Sequence, residues 1–454
     1  MVIGAVGLLF VVGGFFLVSP ATVNAQTLTP QERAKLQAEY DQLQQEIAGW
    51  QKVLTDTKAK KKTLSGDVSA LTAKINEATA QIKAKNLAIS QLSDQISQKS
   101  AQLTTLQRQM NEGLASLGKL IRQQNESDTY SLATVVLSSQ SLSDVFDDVQ
   151  ARAFLQAELQ KKFDTIRDTK NLTQKQRDEL AAKQNAQEDA RHAVELTKAR
   201  VSAAKTEKSH LLAVTSQQEA QYQTVLADRQ RRAEEIRSAL FDLRDAKGIS
   251  FETALNYANV ASKATGVRAA LILAILSQES DLGNNIGSCY VTNLDTGDGV
   301  GKNSGDAFQK VMKSPRDTEP FREITDALGL AWATTPVSCP LGKVYSSGRG
   351  YGGALGPSQF IPSTWQLFSS RIEKTLGISH ANPWDPRHSI MATALYMMDL
   401  GAAGGTYTAE RNAACKYYSG RSCDSRTPTN YTYGNSVVAK ADKFQQNIDF
   451  LNNL

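Results

Sequence analysis

The sequence predicts a mainly α chain in two parts, a long antiparallel coiled-coil hairpin followed by an α-rich globular domain. Three observations carry this reading. From residue 30 to about 245 the chain has one proline, Pro30, and apolar residues at alternating steps of four and three. After Gly248 the heptads stop, and glycine, proline, aromatic residues and all four cysteines concentrate. Within that second part, "LILAILSQESDLG" (Leu271 to Gly283) reads as a buried helix that carries a carboxylate, Glu279, in its last turn.

The chain's 454 residues suffice for two or three domains. A formal net charge of +5 suits an anionic polymer or a membrane surface. The cations are spread along the chain without a Lys/Arg block, so nucleic acid is not expected as a partner. At the N-terminus, "MVIGAVGLLFVVGGFFLVSPATVNAQ" pairs an apolar run with small residues at Val23-Asn24-Ala25. It reads as a signal peptide over residues 1–25, or as an uncleaved N-terminal anchor. Either way the rest of the chain is exported to the extracytoplasmic cell envelope.

The first helical part occupies residues 26–245. Leu36, Tyr40, Leu43, Ile47, Trp50 and Leu54 begin the heptads, which resume at Leu64, Val68, Leu71, Ile75, Ala78 and Ile82. They continue through Ile89, Leu92, Ile96, Leu103, Leu106 and Met110, with Lys61, Lys85 and Lys99 expected to loosen the seam. The register breaks at "NESDTYSLATVVLSSQSLSDVF" (Asn125 to Phe146), and a second helical segment then runs to about Asp245. Two long helices around a compact tip, a helical lobe near 125–150, suggest a chain that folds back on itself. A generic dimeric coiled coil fits the same heptads.

The tip segment "YSLATVVLSSQSLSDVFDDVQ", with coil before and after it, resembles the coiled-coil module of cell-wall hydrolases and hydrolase activators that work with the FtsEX division complex. That resemblance covers most of residues 30–245. It implies a dock for an FtsX-like membrane protein and a coil that restrains or positions the second part.

In the second part, residues 246–454, four cysteines in an exported domain suggest disulfides. Cys415 and Cys423 flank a short loop, which leaves Cys289 and Cys339 to close the insertion between them, although four cysteines allow three pairings. On the helix, Ile272, Ile275 and Glu279 share a face at i, i+3 and i+7. A carboxyl group beside an apolar stripe loses hydration and rises in pKa, as a general acid requires. Downstream, "GYGGALGPSQFIPSTW" (Gly350 to Trp365) brings Gly352, Gly353 and Gly356 for close backbone approach and Gln359 to meet a sugar amide or hydroxyl. Pro362, Ser363 and Thr364 then suit a helix start. "DTGDG" (Asp295 to Gly299) fails calcium-loop spacing, so neither a metal nor another cofactor is assigned.

In order, "SQES", "GGALGPSQFIPSTW" and "NPWDPRHSIMATALYMMDLG" resemble the lytic transglycosylases of the goose-lysozyme-like superfamily, nearest the membrane-bound lytic transglycosylase B branch. The resemblance implies a lysozyme-like fold over roughly 250–450 and peptidoglycan glycan strands as substrate. It implies Glu279 as the catalytic acid/base, with Gln359, Tyr433, Tyr417, Gly353, Ala354, Gly356 and Ser280 in the substrate-binding set. Asn382, Trp384, Asp385 and Pro386 match a segment that introduces the next helix. Two positions depart from the family pattern: Gly350 stands where a serine is common, and Tyr418 replaces an asparagine. The implied reaction uses one carboxylate and closes a 1,6-anhydro ring on muramic acid. A hydrolytic muramidase would need a second carboxylate, for which Asp281, Asp295 and Asp298 are candidates. A catalytically inactive wall-binding or activator protein is the third reading.

Overall fold

A computed structural model describes residues 30–58, 64–128, 142–213, 251–283, 286–340, 350–423 and 431–452, together with 227, 230 and 231. The segment 1–25, residues 129–141 of the expected tip lobe and the stretch 232–250 lie outside the described residues. The chain is mainly helical. In order come α1 (Pro30–Lys58), α2 (Leu64–Asp128), α3 (Leu142–Ala213), α4 (Phe251–Thr265) and α5 (Ala269–Ser280). Short strands follow, β1 (Cys289–Val291), β2 (Gly299–Gly301) and β3 (Ala307–Phe308), then α6 (Thr318–Ala327), α7 (Pro362–Leu376) and α8 (Pro386–Asp399). The chain closes with α9 (Tyr407–Ser419) and α10 (Thr432–Asn452).

The chain divides into two compact units, one of Met1–Gln45 with Lys83–Gln187 and one of Glu46–Ile82 with Glu188–Leu454. In the first unit, side-chain contacts between α2 and α3 run antiparallel: Ile89 meets Gln187, Gln95 meets Lys183 and Gln107 meets Arg177. Lys99 does not simply loosen this unit, because its ammonium donates to Gln176 (2.6 Å) and to Glu179 on α3. The lysine stem lies between the helices while the facing helix supplies the carboxylate and amide oxygens its ammonium needs.

The second unit holds the larger core. Its centre is α5, where every residue from Ala270 to Leu276 is buried. The sequence suggested a one-sided apolar stripe, whereas α4, α8 and α10 enclose the helix on several sides. Burial of each Leu or Ile here contributes roughly 1.5–3 kcal/mol of transfer free energy. The helix ends on Asp281 (φ 52°), Leu282 (φ 54°) and Gly283 (φ 91°), three successive left-handed residues. Two of them carry a Cβ, at a cost of about 1–2 kcal/mol each.

Helix starts follow local chemistry. Pro362 occupies the first turn of α7, where a missing N–H costs nothing. Asp385 caps α8 by accepting from the Arg387 and His388 N–H groups. Asn382 Oδ1 accepts from the Trp384 N–H (2.9 Å), and the Trp384 indole donates to the Pro336 carbonyl (2.9 Å).

The insertion before α6 forms a three-stranded antiparallel sheet ordered β1-β2-β3, with Cys289 opposite Gly301. The sequence reading had no sheet here, because strands of two or three residues are too short to display alternation. The cysteines pair as Cys289–Cys339 and Cys415–Cys423.

Candidate active site

Three helices bring the candidate residues together. α5 presents Glu279 in its last turn, α10 presents Tyr433 in its first, and α9 presents Tyr417 and Tyr418 near its end. The Tyr433 hydroxyl donates to Glu279 Oε1. Burial raises the Glu279 carboxyl above its ordinary pKa, and the Tyr433 hydrogen bond opposes that rise in part. Tyr433 is itself held far above the usual phenol range, by burial first and by the facing Glu279 charge second. The phenol therefore stays a donor throughout the pH range in which proteins fold.

Tyr418 stacks on Tyr433 with ring centroids 4.6 Å apart and planes 15° apart. Sequence comparison by motif marked Tyr418 only as a departure; this contact gives it a place beside the donor of the acid. Tyr417 is half-buried, and its hydroxyl donates to the Ser358 carbonyl (2.7 Å). Burial, followed by the Glu279 charge, pushes its pKa well above the ordinary value.

The glycine-rich turn is fixed by close backbone approach. A Cβ on Gly356 would lie 1.9 Å from the Pro383 carbonyl oxygen, and its φ of +53° is already left-handed. Gly353 adopts φ +86°, and its N–H donates to the Ser338 carbonyl (2.8 Å). The Ala354 N–H donates to the Ser338 hydroxyl (2.9 Å), which ties the turn to the insertion. Gln359 is left-handed at φ +52°, and its amide Nε2 donates to the Gly356 carbonyl (2.7 Å). Its amide oxygen remains as an acceptor. Ser280 is buried within the end of α5, where its hydroxyl donates to the Leu276 carbonyl (3.1 Å) and accepts from the Gly283 N–H (3.0 Å). Its geometry is that of a helix terminator.

Asp298 accepts from the Thr296 hydroxyl (2.9 Å) and the Lys310 N–H (3.1 Å), so both its oxygens serve its own loop. In the same loop Asn293 Oδ1 accepts the Asp295 N–H (2.8 Å).

A polar cluster that motif reading missed lies behind the site. Arg268, the residue before α5, donates to both oxygens of Glu410 (3.0 and 2.6 Å) and to Asp442 (3.0 Å). His192 of α3 reaches the other Asp442 oxygen (2.9 Å) and stacks on Tyr407 at 4.1 Å. The sequence signal for it was slight, an acid on each of the helices α9 and α10.

Together these residues define a half-buried carboxylic acid held by a phenol donor, an arrangement suited to proton transfer. Comparison of the chain with family models, with curated proteins and with solved structures finds no match.

Proposed function

We propose that the chain is a peptidoglycan lytic transglycosylase, with a lysozyme-like catalytic part and a coiled-coil hairpin that positions or restrains it during wall remodelling or division. The observation that carries the reading is Glu279: a carboxyl group raised in pKa by burial and oriented by Tyr433. A proton retained towards neutral pH can be delivered to the glycosidic oxygen between N-acetylmuramic acid and N-acetylglucosamine. As the bond to C1 breaks, the substrate's N-acetyl oxygen stabilises the positive charge there. Glu279, now ionised, takes the proton from the C6 hydroxyl, whose oxygen closes on C1. The products are a 1,6-anhydro sugar and a free 4-hydroxyl; water is neither consumed nor released.

The scheme needs one carboxylate, in keeping with the engagement of Asp298 by its own loop. Gln359 and the Gly353–Gly356 turn would meet the sugar, and an FtsX-like membrane protein would engage the coil outside the cytoplasm.

Mass spectrometry of muropeptides released from purified peptidoglycan tests the reading. The wild-type chain should yield anhydro ends, and Glu279→Gln should lose at least about a hundredfold in rate. Reducing ends would assign a hydrolytic muramidase instead. Full activity of Glu279→Gln would remove Glu279 from the mechanism, and no release by the wild type would favour a binding or activator protein.

A further inference from the structure

The Cys415–Cys423 disulfide closes a loop that holds Tyr417 and Tyr418 together with Arg421, which no motif above uses. That loop forms one wall of a pocket of about 350 Å³. Gln278, Tyr418, Arg421, Thr432, Tyr433 and Ser436 are among its lining residues. Gln278 precedes Glu279 in the chain, and Tyr433 bonds that carboxyl directly, so the pocket adjoins the acid without containing it.

Its polar groups are unevenly satisfied. Gln278 Oε1 already accepts from Lys440 (3.0 Å), and Ser419 donates to the Cys415 carbonyl (2.8 Å). Arg421 is exposed and, among the described residues, has no acidic partner within ion-pair distance. A guanidinium is charged at every accessible pH and presents planar paired donors that match a carboxylate. The Tyr418 ring is 67% exposed, with one face on Tyr433, and so offers an apolar platform next to that cation. The short disulfide-closed loop holds Tyr418 and Arg421 on one small frame, which lowers the ordering cost of binding.

We infer that this pocket is a binding subsite for a carboxylate carried by the glycan, with Arg421 receiving the acid and Tyr418 the adjoining sugar or peptide face. The inference rests on the glycan-cleaving reading and extends it. Two sources share this chemistry: the lactyl carboxylate of N-acetylmuramic acid and a carboxylate of its stem peptide.

Calorimetric titration of the full chain uses three probes: N-acetylmuramic acid, N-acetylmuramyl dipeptide and neutral N,N′-diacetylchitobiose. At least one acid should bind, and Arg421→Ala should weaken it about tenfold or more, the loss of one charge-assisted hydrogen-bonded pair. Binding of the dipeptide alone assigns the stem peptide; binding of the monosaccharide alone assigns the lactyl group. Arg421→Lys, which keeps the charge but not the paired donors, should fall between wild type and alanine. Acid binding that is unchanged in Arg421→Ala, absent from the wild type, or matched by chitobiose overturns the subsite. Wall cleavage with no Arg421-dependent binding removes only the subsite. Arg421-dependent binding with no wall cleavage removes only the transglycosylase reading.

Discussion

At the scale of single residues, Glu279 and Tyr433 control each other's ionisation. Tyr433 donates to the carboxyl and favours its charged form, while burial favours the neutral form and prevails. Tyr433→Phe should remove the opposing influence, so the folded pKa of Glu279 rises further. The alkaline limb of the pH–rate profile should then move to higher pH, because the acid keeps its proton longer. The rate at the optimum should fall about ten- to a hundredfold, the equivalent of one hydrogen bond to a charged group. A profile that stays in place would mean that Tyr433 does not act on the acid. Glu279 also carries a stability consequence. Its raised folded pKa gives a contribution present in full below the unfolded value of 4.5 and lost as pH rises through the folded value. Glu279→Gln keeps an acceptor for Tyr433 and removes the buried charge. The variant should therefore melt above the wild type at pH 7 and close to it at pH 4, as a scan of Tm against pH would record.

At the scale of elements, the turn and the two disulfide loops set the frame for these residues. Gly356→Ala places a methyl group 1.9 Å from the Pro383 carbonyl in a left-handed residue. Thermal unfolding should register a loss of about 2 kcal/mol or more, since backbone must move as well as accept strain. The disulfides should differ in the opposite order from their nearness to the acid. Cys289–Cys339 spans 50 residues and Cys415–Cys423 spans 8. Loop entropy alone makes the first worth about 4 kcal/mol and the second about 2.5 kcal/mol. Denaturant titration of the paired Cys→Ala variants would check that order. Much of this frame was legible in advance. Pro362 announced a helix start by its own backbone chemistry, the Asn382–Pro386 segment did so through the family resemblance, and the aliphatic run before Glu279 announced a buried helix. The three short strands, the enclosure of α5 on several sides and the stacking of Tyr418 were not legible. Each depends on partners distant in sequence and leaves no periodic trace in the chain.

At the scale of the whole molecule, the second unit joins part of α3 to the helices that carry the site. Glu188 pairs with Arg411 (2.9 Å), Asp189 accepts from the Thr408 N–H (2.7 Å) at the start of α9, and His192 reaches Asp442 on α10. These contacts span more than 200 residues of sequence and use charged groups on a helix that reads as a solvated coil face. Heptad analysis therefore had no means to find them. Arg268 completes the arrangement, because it precedes α5 and binds both Glu410 and Asp442. The starts of α5 and α9, remote from Glu279, Tyr417 and Tyr418, and the middle of α10 thus share one ionic cluster. Burial raises Glu410 despite Arg268, whereas the bonds from His192 and Arg268 overcome the burial of Asp442 and hold it below its ordinary value. For Asp442 the sign is that of a depressed carboxylate: its contribution is present above the unfolded value of 3.8 and lost as pH falls through the folded value. Arg268→Ala would leave two largely buried carboxylates facing each other and should cost about 3–5 kcal/mol at pH 7. His192→Ala removes one bond to Asp442 and the stack on Tyr407, and should cost about 1–2 kcal/mol. The two changes touch one carboxylate, so their effects should not add. Urea unfolding of the single and double variants would measure the coupling, and strict additivity would show that α3 and α5 do not communicate through Asp442.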